Sequence, residues 1–222
     1  MKYFLTILLL TAFFGASNAQ KKAVIADKKM VTVPAGKYEA FFVTKDNQPL
    51  KVASFQMDES AVTNIEFLEF VKANPEWKRS KVNRLFADSN YLRHWENDLS
   101  IGKMNENIYN SPVVNVSWFA AQAYCKWKNK RLPTVAEWEL AGKGNPKNIK
   151  HTSLTEYILG WYKKPNPTVL PNIKTTWQNV YGLYDMHGLI WEWTFNFNSF
   201  ISNGDSRGST EDEVKAFCAA GS

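Results

Sequence analysis

The run from Tyr181 to Trp193 constrains the fold of this 222-residue chain more than any other stretch. Its sequence is Tyr-Gly-Leu-Tyr-Asp-Met-His-Gly-Leu-Ile-Trp-Glu-Trp, so two glycines, two carboxylates and four bulky aromatic residues fall within thirteen positions. Internal glycines disfavour an ordinary helix, and large aromatic side chains are costly to leave in a solvent-exposed loop. The pattern therefore predicts a bent segment that is largely buried.

Asp185 and Glu192 lie on either side of Gly188 within this run. Carboxylates are hard oxygen donors, and a glycine turn between them can expose backbone carbonyl oxygens. Two such side chains and a bent backbone are the components of a small calcium site, although Ca²⁺ takes about 6–8 oxygen ligands. The alternative is a core turn in which the carboxylates accept hydrogen bonds from backbone N–H groups. The residues alone leave both interpretations open.

The first nineteen residues have the pattern of a secretory signal peptide. Lys2 supplies a positive start, residues 4–14 are mainly apolar, and Ala19 ends a small-residue cleavage site. The apolar run is too short to span a bilayer, so we expect export to the periplasm or the exterior rather than an uncleaved anchor. Residues 20–29 are polar and predict a flexible arm, and the folded domain is expected over residues 30–222.

Charge and cysteine content narrow the classes of partner. The net charge is +6, but the basic residues occur in scattered pairs, which is typical of a solvated surface and not of a nucleic-acid site. No stretch after the signal peptide is apolar enough to cross a membrane. The two cysteines, Cys125 and Cys218, are candidates for a disulfide in an exported protein, but their spacing does not decide the matter. Cys125 lies on a predicted helix face, which favours a buried apolar thiol.

Strands are predicted at the start of the domain and helices after it. Residues 30–36 and 37–44 each predict a strand, and the alternating residues 51–57 predict a third. Three helices are indicated by their N-caps: Thr63-x-x-Glu66 and Thr134-x-x-Glu137 are capping boxes, and Ser117 precedes an alanine-rich stretch. The remaining predictions are a short strand at 112–118, a short helix around 80–86, and irregular structure over most of 76–111 and 145–179, the latter containing four prolines.

Three segments, in this order and spacing, resemble the formylglycine-generating enzyme or sulfatase-modifying factor family. They are Val62-Thr-Asn64, the stretch from Pro112-Val-Val-Asn-Val-Ser-Trp118 through Arg131-Leu-Pro-Thr-Val-Ala-Glu-Trp-Glu139, and Gly182-Leu-Tyr-Asp-Met-His-Gly-Leu-Ile-Trp-Glu-Trp193. The resemblance covers about residues 30 to 222. It implies an α+β fold: a single coil-rich domain related to C-type lectins, with two to three helices and short antiparallel strands.

The resemblance also implies a calcium site. The family's ligands match Asp185, Gly188, Ile190 and Glu192 in this sequence, with Gly188 and Ile190 donating backbone carbonyls. Leu189 replaces the usual asparagine at a position that is not a ligand. No convincing counterpart of the family's other calcium site is found in residues 145–179.

The catalytic residues of the family do not carry over. Its founding enzymes oxidise a sulfatase cysteine to formylglycine with O₂ and a copper ion held by two cysteines. Those cysteines follow a strand that residues 219–222 only faintly resemble, so we expect that the C-terminal part of the domain is missing. Cys218 is the one candidate for a catalytic thiol, and a single thiol is a poor copper site. Copper chemistry would require cysteines beyond Ser222.

Two functions follow, and whether the chain is an enzyme stays open. The first is an exported domain resembling enzymes that oxidise a protein cysteine, acting on a protein substrate but lacking the paired catalytic cysteines. The alternative is a non-catalytic exported domain that binds a partner protein or a glycan through its tryptophan- and tyrosine-rich surface. The three histidines, His94, His151 and His187, show no metal-ligand spacing, and His187 is predicted to be a hydrogen-bonding structural residue.

Overall fold

The computed structural model describes residues 28–38, 49–101, 106–147, 153–165 and 167–196. The fold is α+β, with short antiparallel strands and four α-helices within these ranges. The strands are β1 (Met30–Val33), β2 (Gly36–Tyr38), β3 (Leu50–Val52) and β4 (Phe55–Asp58). The helices are α1 (Asn64–Ala73), α2 (Trp118–Trp127), α3 (Val135–Gly142) and α4 (Leu154–Tyr162), with 3-10 turns at Pro75–Trp77 and Glu106–Asn110. The predicted signal peptide, residues 1–19, lies outside the described residues.

The strands form two separate antiparallel pairs. β1 pairs with β4, with Met30 opposite Asp58, and β2 pairs with β3, with Gly36 opposite Val52. The single strand predicted over residues 51–57 is therefore wrong, because the chain leaves one pair and enters the other between β3 and β4. Ser54 lies at this crossing, where its hydroxyl donates a hydrogen bond to the Val33 carbonyl at 3.0 Å. Residues 39–44 of the second predicted strand lie outside the described ranges.

Local caps fix the starts of the helices. Thr63 and Glu66 form the predicted capping box of α1, Thr134 and Glu137 form that of α3, and Ser117 caps α2. The prediction of two to three helices is too low, since α4 begins at a third capping box. Its residues, Ser153 and Glu156, carry the same signal as the other two boxes. The four prolines of residues 145–179 favoured a prediction of irregular structure, although none of them falls within α4 itself.

Two further predictions of regular structure are wrong. The strand expected at 112–118 is reduced to an isolated bridge between Pro112 and Thr63, because proline has no N–H and Asn115 adopts a left-handed backbone at φ +56°. The helix expected around 80–86 is a series of turns. There the Asp98 carboxylate accepts hydrogen bonds from the backbone and hydroxyl of Ser80, at 2.8 and 2.5 Å, which hold the chain in a non-helical shape.

The described residues bury two hydrophobic clusters. One packs α1 and α2 against the irregular stretch 87–101, and Phe67, Phe70 and Tyr124 form its aromatic centre. The other packs the two strand pairs and α3 against the turn that contains Leu183 and Met186. A cavity of about 710 Å³ lies between the two clusters. Within the described ranges, no helix is long and apolar enough to cross a membrane.

Candidate functional site

The run of residues 181–193 forms a bent segment held by main-chain hydrogen bonds to Glu59, just beyond β4, and to Trp177 in the preceding stretch. Its backbone is left-handed at Gly182 (φ +91°), Asp185 (φ +58°) and Gly188 (φ +92°). Tyr184 donates its backbone N–H to the carbonyl of Glu59, one residue beyond β4, at 2.8 Å. The prediction of a bent segment is confirmed, but only its central residues Leu183, Asp185, Met186 and Leu189 are buried, and Trp191 is 74% exposed, so the expected burial of the aromatic residues is wrong for the end of the run.

Asp185 is buried, and its carboxylate organises the loop before it. Oδ1 accepts hydrogen bonds from the backbone N–H of Thr176 at 2.9 Å and from its hydroxyl at 2.8 Å. Oδ2 accepts from the backbone N–H of Lys174. Asp185 therefore accepts hydrogen bonds from backbone N–H groups, as the alternative to a calcium site predicted. Three donors leave Asp185 with little spare acceptor capacity, so any cation would have to share it.

Glu192 lies in a different electrostatic environment. Its Oε2 accepts a hydrogen bond from the indole N–H of Trp138 on α3, at 2.6 Å. Burial raises the pKa of Glu192, and the negative charge of Asp185 raises it further, whereas the Trp138 bond and the charge of Lys28 act in the opposite direction. The fold thus brings the two predicted carboxylates into electrostatic contact and leaves one of them without a full counter-charge.

The two predicted carbonyl donors, Gly188 and Ile190, lie between these carboxylates in the sequence. Neither carbonyl accepts a hydrogen bond from another described residue. A Cβ added to Gly188 would come within 2.4 Å of the Trp161 indole on α4, so the backbone there is closely covered. Two carboxylates and two uncommitted carbonyls match the hard-oxygen chemistry of calcium, with Asp185 already partly used. In this respect the residues fit the predicted ion.

His187 has the structural role that the sequence predicted. Its Nε2 is hydrogen-bonded to the Gly142 carbonyl at 2.8 Å, and its ring stacks on Trp177 with the centroids 6.2 Å apart. Burial lowers the pKa of His187, which outweighs the opposite effect of the Gly142 bond. In the part of the chain that the structure describes, no three His, Cys, Asp or Glu side chains cluster to hold a metal. His94 is exposed and His151 lies outside that part.

Cys125 lies on α2 and lines the cavity between the two clusters. Burial raises the pKa of its thiol to about 11, and the neighbouring Asp58 charge adds to the effect, while Lys130 opposes it. Cys125 packs against the first hydrophobic cluster but is half-buried and lies near the charges of Asp58 and Lys130, so the prediction of a buried apolar thiol holds only in part. Cys218, the candidate catalytic thiol, lies outside the described residues.

Asn179 is a key residue of the site that the sequence did not reveal. It is fully buried, and its amide donates to the Ala141 carbonyl at 2.9 Å. Its side-chain oxygen accepts from the backbone N–H groups of Tyr181 and Leu183, at 3.0 and 3.1 Å. Asparagine two residues before a turn does supply such bonds, so the Asn-x-x-Gly spacing was the available signal. This single side chain ties the turn to α3.

Comparison with known proteins points to one family. A family model described as the sulfatase-modifying factor enzyme 1-like domain matches residues 15–211. The inactive C-alpha-formylglycine-generating enzyme 2 of Bos taurus is 31% identical over 209 residues, which cover 74% of this chain and 69% of that protein. The formylglycine-generating enzyme of Streptomyces coelicolor is 29% identical over 182 residues, covering 65% of this chain and 58% of that protein. Serine/threonine-protein kinase pkn1 of Chlamydia pneumoniae is 28% identical over 175 residues, covering 74% and 27% respectively.

Proposed function

This chain belongs to the family of the sulfatase-modifying factor enzyme 1-like domain, as its three motifs predicted, and we propose that it is an exported, non-catalytic member that binds a protein partner. Export rests on the signal-peptide pattern of residues 1–19, and periplasmic or secreted localisation follows from it. We also place the domain among folds related to C-type lectins, a relation that the family resemblance implies.

The number and environment of the cysteines support the proposal that the chain is not catalytic. The sequence holds two cysteines, Cys125 and Cys218, and they are far apart in the chain. Burial raises the pKa of the Cys125 thiol to about 11, so in the absence of a metal or a base this thiol is protonated at neutral pH and is a poor nucleophile. Cys125 lies on α2 with no second cysteine beside it among the described residues, and a single thiol is a poor Cu(I) site. The relative from Bos taurus, whose name includes the word inactive, is consistent with this proposal.

A patch of exposed aromatic side chains supports the binding of a protein. The patch consists of the exposed Phe86, Phe119 and Phe195 around the half-buried Trp118. The ring centroids of Phe86 and Phe119 are 5.2 Å apart, and those of Trp118 and Phe195 are 6.5 Å apart. Phe86, Phe119 and Phe195 are each more than two-fifths exposed. Contiguous exposed aromatics are unusual on a monomer surface and mark the centres of protein interfaces. We choose a protein over a glycan because these rings are mostly phenylalanine and carry no polar handle.

We further propose that calcium occupies the site formed by Asp185, Gly188, Ile190 and Glu192. Burial has raised the pKa of Glu192 next to a second carboxylate, and a divalent cation there would relieve the repulsion between them. The cation would then act as a structural pin for the bent segment. No step of a reaction is assigned to it.

An oxidation assay tests the absence of catalysis. The full chain is incubated with a cysteine-containing sulfatase peptide, O₂, a copper salt and a thiol reductant, and the peptide is analysed by mass spectrometry. The formylglycine-generating enzyme of Streptomyces coelicolor serves as the positive control. We expect no aldehyde product above the level seen with buffer alone. Conversion of the peptide, and its loss in the Cys218→Ser variant, would restore the alternative function of a copper-dependent oxidase.

A pair of surface variants tests the binding of a protein. Phe86→Ser/Phe119→Ser removes two rings of the patch, and Leu159→Ser removes an exposed side chain of α4 that lies outside it. Each tagged chain is cross-linked in its own host cells and purified. A specific protein should be recovered with the parent and the Leu159→Ser chains and be at least tenfold depleted with the patch variant. Equal recovery with all three chains would refute binding through the patch.

A further inference from the structure

The aromatic patch that carries the proposed protein binding is fixed in place by hydrogen bonds at one edge. The Trp118 indole N–H donates to the carbonyl of Thr194 at 2.9 Å, and the backbone N–H of Phe195 donates to the carbonyl of Pro133 at 2.7 Å. These bonds join residues 193–196 to α2 and to the residues just before α3. A surface whose rings are already held in place loses little conformational entropy when a partner binds, so the patch is suited to recognition.

The apolar centre of the patch extends beyond its four rings. Leu85, which precedes Phe86 in the sequence, is 81% exposed. The half-buried Trp77 ring lies 6.4 Å from the Phe86 ring, measured between centroids. A contiguous exposed apolar surface marks an interaction site, whereas single exposed apolar residues need no explanation. The partner should therefore present apolar side chains to this centre.

The chain segments that carry the patch contain basic residues and no acidic ones. Residues 77–87 hold four basic side chains and residues 117–131 hold another four, while neither range contains Asp or Glu. The whole chain, by contrast, has 27 basic and 21 acidic residues. Positive charge is thus concentrated, along the sequence, in the two segments that supply Phe86 and Phe119.

Most of these basic side chains have partners within the fold. Lys130 and Arg131 pair with Asp58 and Glu137, Lys78 and Lys81 lie near the Asp98 carboxylate, and Arg79 donates a hydrogen bond to the Trp95 carbonyl. The Lys128 Nζ lies over the Trp127 ring, 5.3 Å from its centroid. The remaining two, Arg84 and Lys126, are exposed, and neither makes an ion pair with another described residue. Their charges are therefore available to a partner.

The two available cations belong to the same elements as the exposed rings. Arg84 lies two residues before Phe86, in a turn closed by a 2.8 Å hydrogen bond from the Phe86 N–H to the Asn83 carbonyl. Lys126 follows Phe119 by seven residues on α2, which places it on the same face of the helix about 10 Å further along the axis. An apolar centre with charged residues around it has the anatomy of a protein interface, in which a polar rim encloses a hydrophobic core.

We propose that the aromatic patch binds a protein segment that is acidic as well as apolar, with Arg84 and Lys126 as its basic rim; this inference rests on the proposed function. Opposite charges across a rim speed association and exclude partners of like charge. A second copy of this chain is disfavoured, because a symmetric contact would bring one basic rim against the other. A nucleic acid is disfavoured because the Phe86 and Phe119 rings are tilted by 52° and do not form parallel platforms on which bases stack.

Selected peptides test the chemistry of the partner. A library of short random peptides displayed on phage is selected on the full parent chain, and peptides that also bind the Phe86→Ser/Phe119→Ser chain are removed. The enriched peptides are then synthesised and used as the probes for affinity measurements. We expect them to combine Asp or Glu with Leu, Phe or Trp and to carry a negative net charge.

Charge reversal measures the contribution of the rim. Arg84→Glu/Lys126→Glu should weaken binding of the selected peptides at least tenfold at low salt, and the loss should shrink as NaCl is added, because salt screens exposed charges. Lys37→Glu/Lys51→Glu is the matched control, since it makes the same change in charge at two exposed lysines that lie opposite each other on β2 and β3. The control should bind the peptides within about twofold of the parent. Circular dichroism confirms that each variant is folded.

The outcomes separate this inference from the proposal that the patch binds a protein. Peptides that require the two phenylalanines but carry no negative charge, or that bind Arg84→Glu/Lys126→Glu as tightly as the parent, would overturn the acidic partner alone. If no peptide distinguishes the parent from Phe86→Ser/Phe119→Ser, both proposals are overturned. A single-stranded oligonucleotide that displaces the peptides would show that the rim binds phosphates, and self-association of the parent that Phe86→Ser/Phe119→Ser abolishes would assign the patch to a second copy; either result would overturn the acidic partner.

Discussion

Replacing Glu192 by glutamine isolates the contribution of one charge to the candidate calcium site. Glutamine keeps an oxygen that can accept the Trp138 indole N–H, which lies 2.6 Å from Glu192 Oε2 in the parent chain. It removes the negative charge that burial and Asp185 make unfavourable. Asp185→Ala should also abolish the calcium response, but Asp185 accepts three hydrogen bonds that hold residues 174–176, so that change would destabilise the fold by itself.

The expected magnitude follows from linkage between binding and folding. A ligand present at 100 times its Kd stabilises the folded state by about 2.7 kcal/mol. For a domain of this size, each kcal/mol corresponds to roughly 2–4 °C, so calcium should raise the Tm of the parent chain by about 5–10 °C. In Glu192→Gln the calcium response should fall below about 2 °C. In EGTA the variant should be no less stable than the parent, because it buries no charge.

The pH dependence gives an independent check with a definite sign. The pKa of Glu192 is raised above its ordinary value of 4.5, so its contribution to stability is full below that value and is lost as the pH rises through the folded-state pKa. Calcium needs the ionised carboxylate and must displace the proton at low pH. The calcium-dependent rise in Tm should therefore be larger at pH 8 than at pH 5.

Thermal unfolding followed by circular dichroism, with calcium and with EGTA, measures these differences. Glu69→Gln is the matched control, since this glutamate pairs with Lys72 on α1 and lies outside the site. Its calcium response should equal that of the parent. A parent chain whose Tm is the same in calcium and EGTA would refute the site. A full calcium response in Glu192→Gln would show that Glu192 is not a ligand.

Three further changes test how the site is held. Asn179→Ala leaves one backbone carbonyl and two backbone N–H groups without their buried partner, so urea unfolding should show a loss of stability of about 3–5 kcal/mol. The control Asn145→Ala, at an exposed position, should change the stability by less than about 0.5 kcal/mol. Gly188→Ala combines a left-handed φ with a clash against an indole and should cost at least about 2 kcal/mol; a neutral result would refute the close packing. Lys28→Met leaves the carboxylate of Glu66 unpaired and should cost about 2 kcal/mol at pH 7. Burial raises the pKa of Glu66, but the Lys28 charge and the hydrogen bonds from Lys28 and Thr63 outweigh burial and hold that pKa low. The difference in unfolding free energy between the parent and Lys28→Met should therefore shrink as the pH falls below about 4.5. A constant difference from pH 7 to pH 3 would refute this.

Features that depend on neighbouring residues were predictable from the sequence. The capping boxes at Thr63 and Thr134 predicted the starts of α1 and α3, since a cap involves residues only three positions apart. The same signal is present at Ser153 and Glu156, but the prolines of this stretch led to a prediction of irregular structure there, and α4 was not predicted. Strand pairing was not predictable, because residues 51–57 alternate in hydrophobicity regardless of which partner each half meets.

The sequence by itself determined that residues 181–193 bend, because Gly182 and Gly188 permit backbone conformations that other residues avoid, and it determined the family through motifs carried by adjacent positions. Only the tertiary structure decided the chemical state of the site. The pKa of Glu192 depends on burial and on charges brought from distant parts of the chain, including Lys28, and its hydrogen bond comes from Trp138, 54 positions away. The protonation of Cys125 likewise depends on the packing around α2. Desolvation and charge proximity arise only when the chain has folded, so no local pattern encodes them.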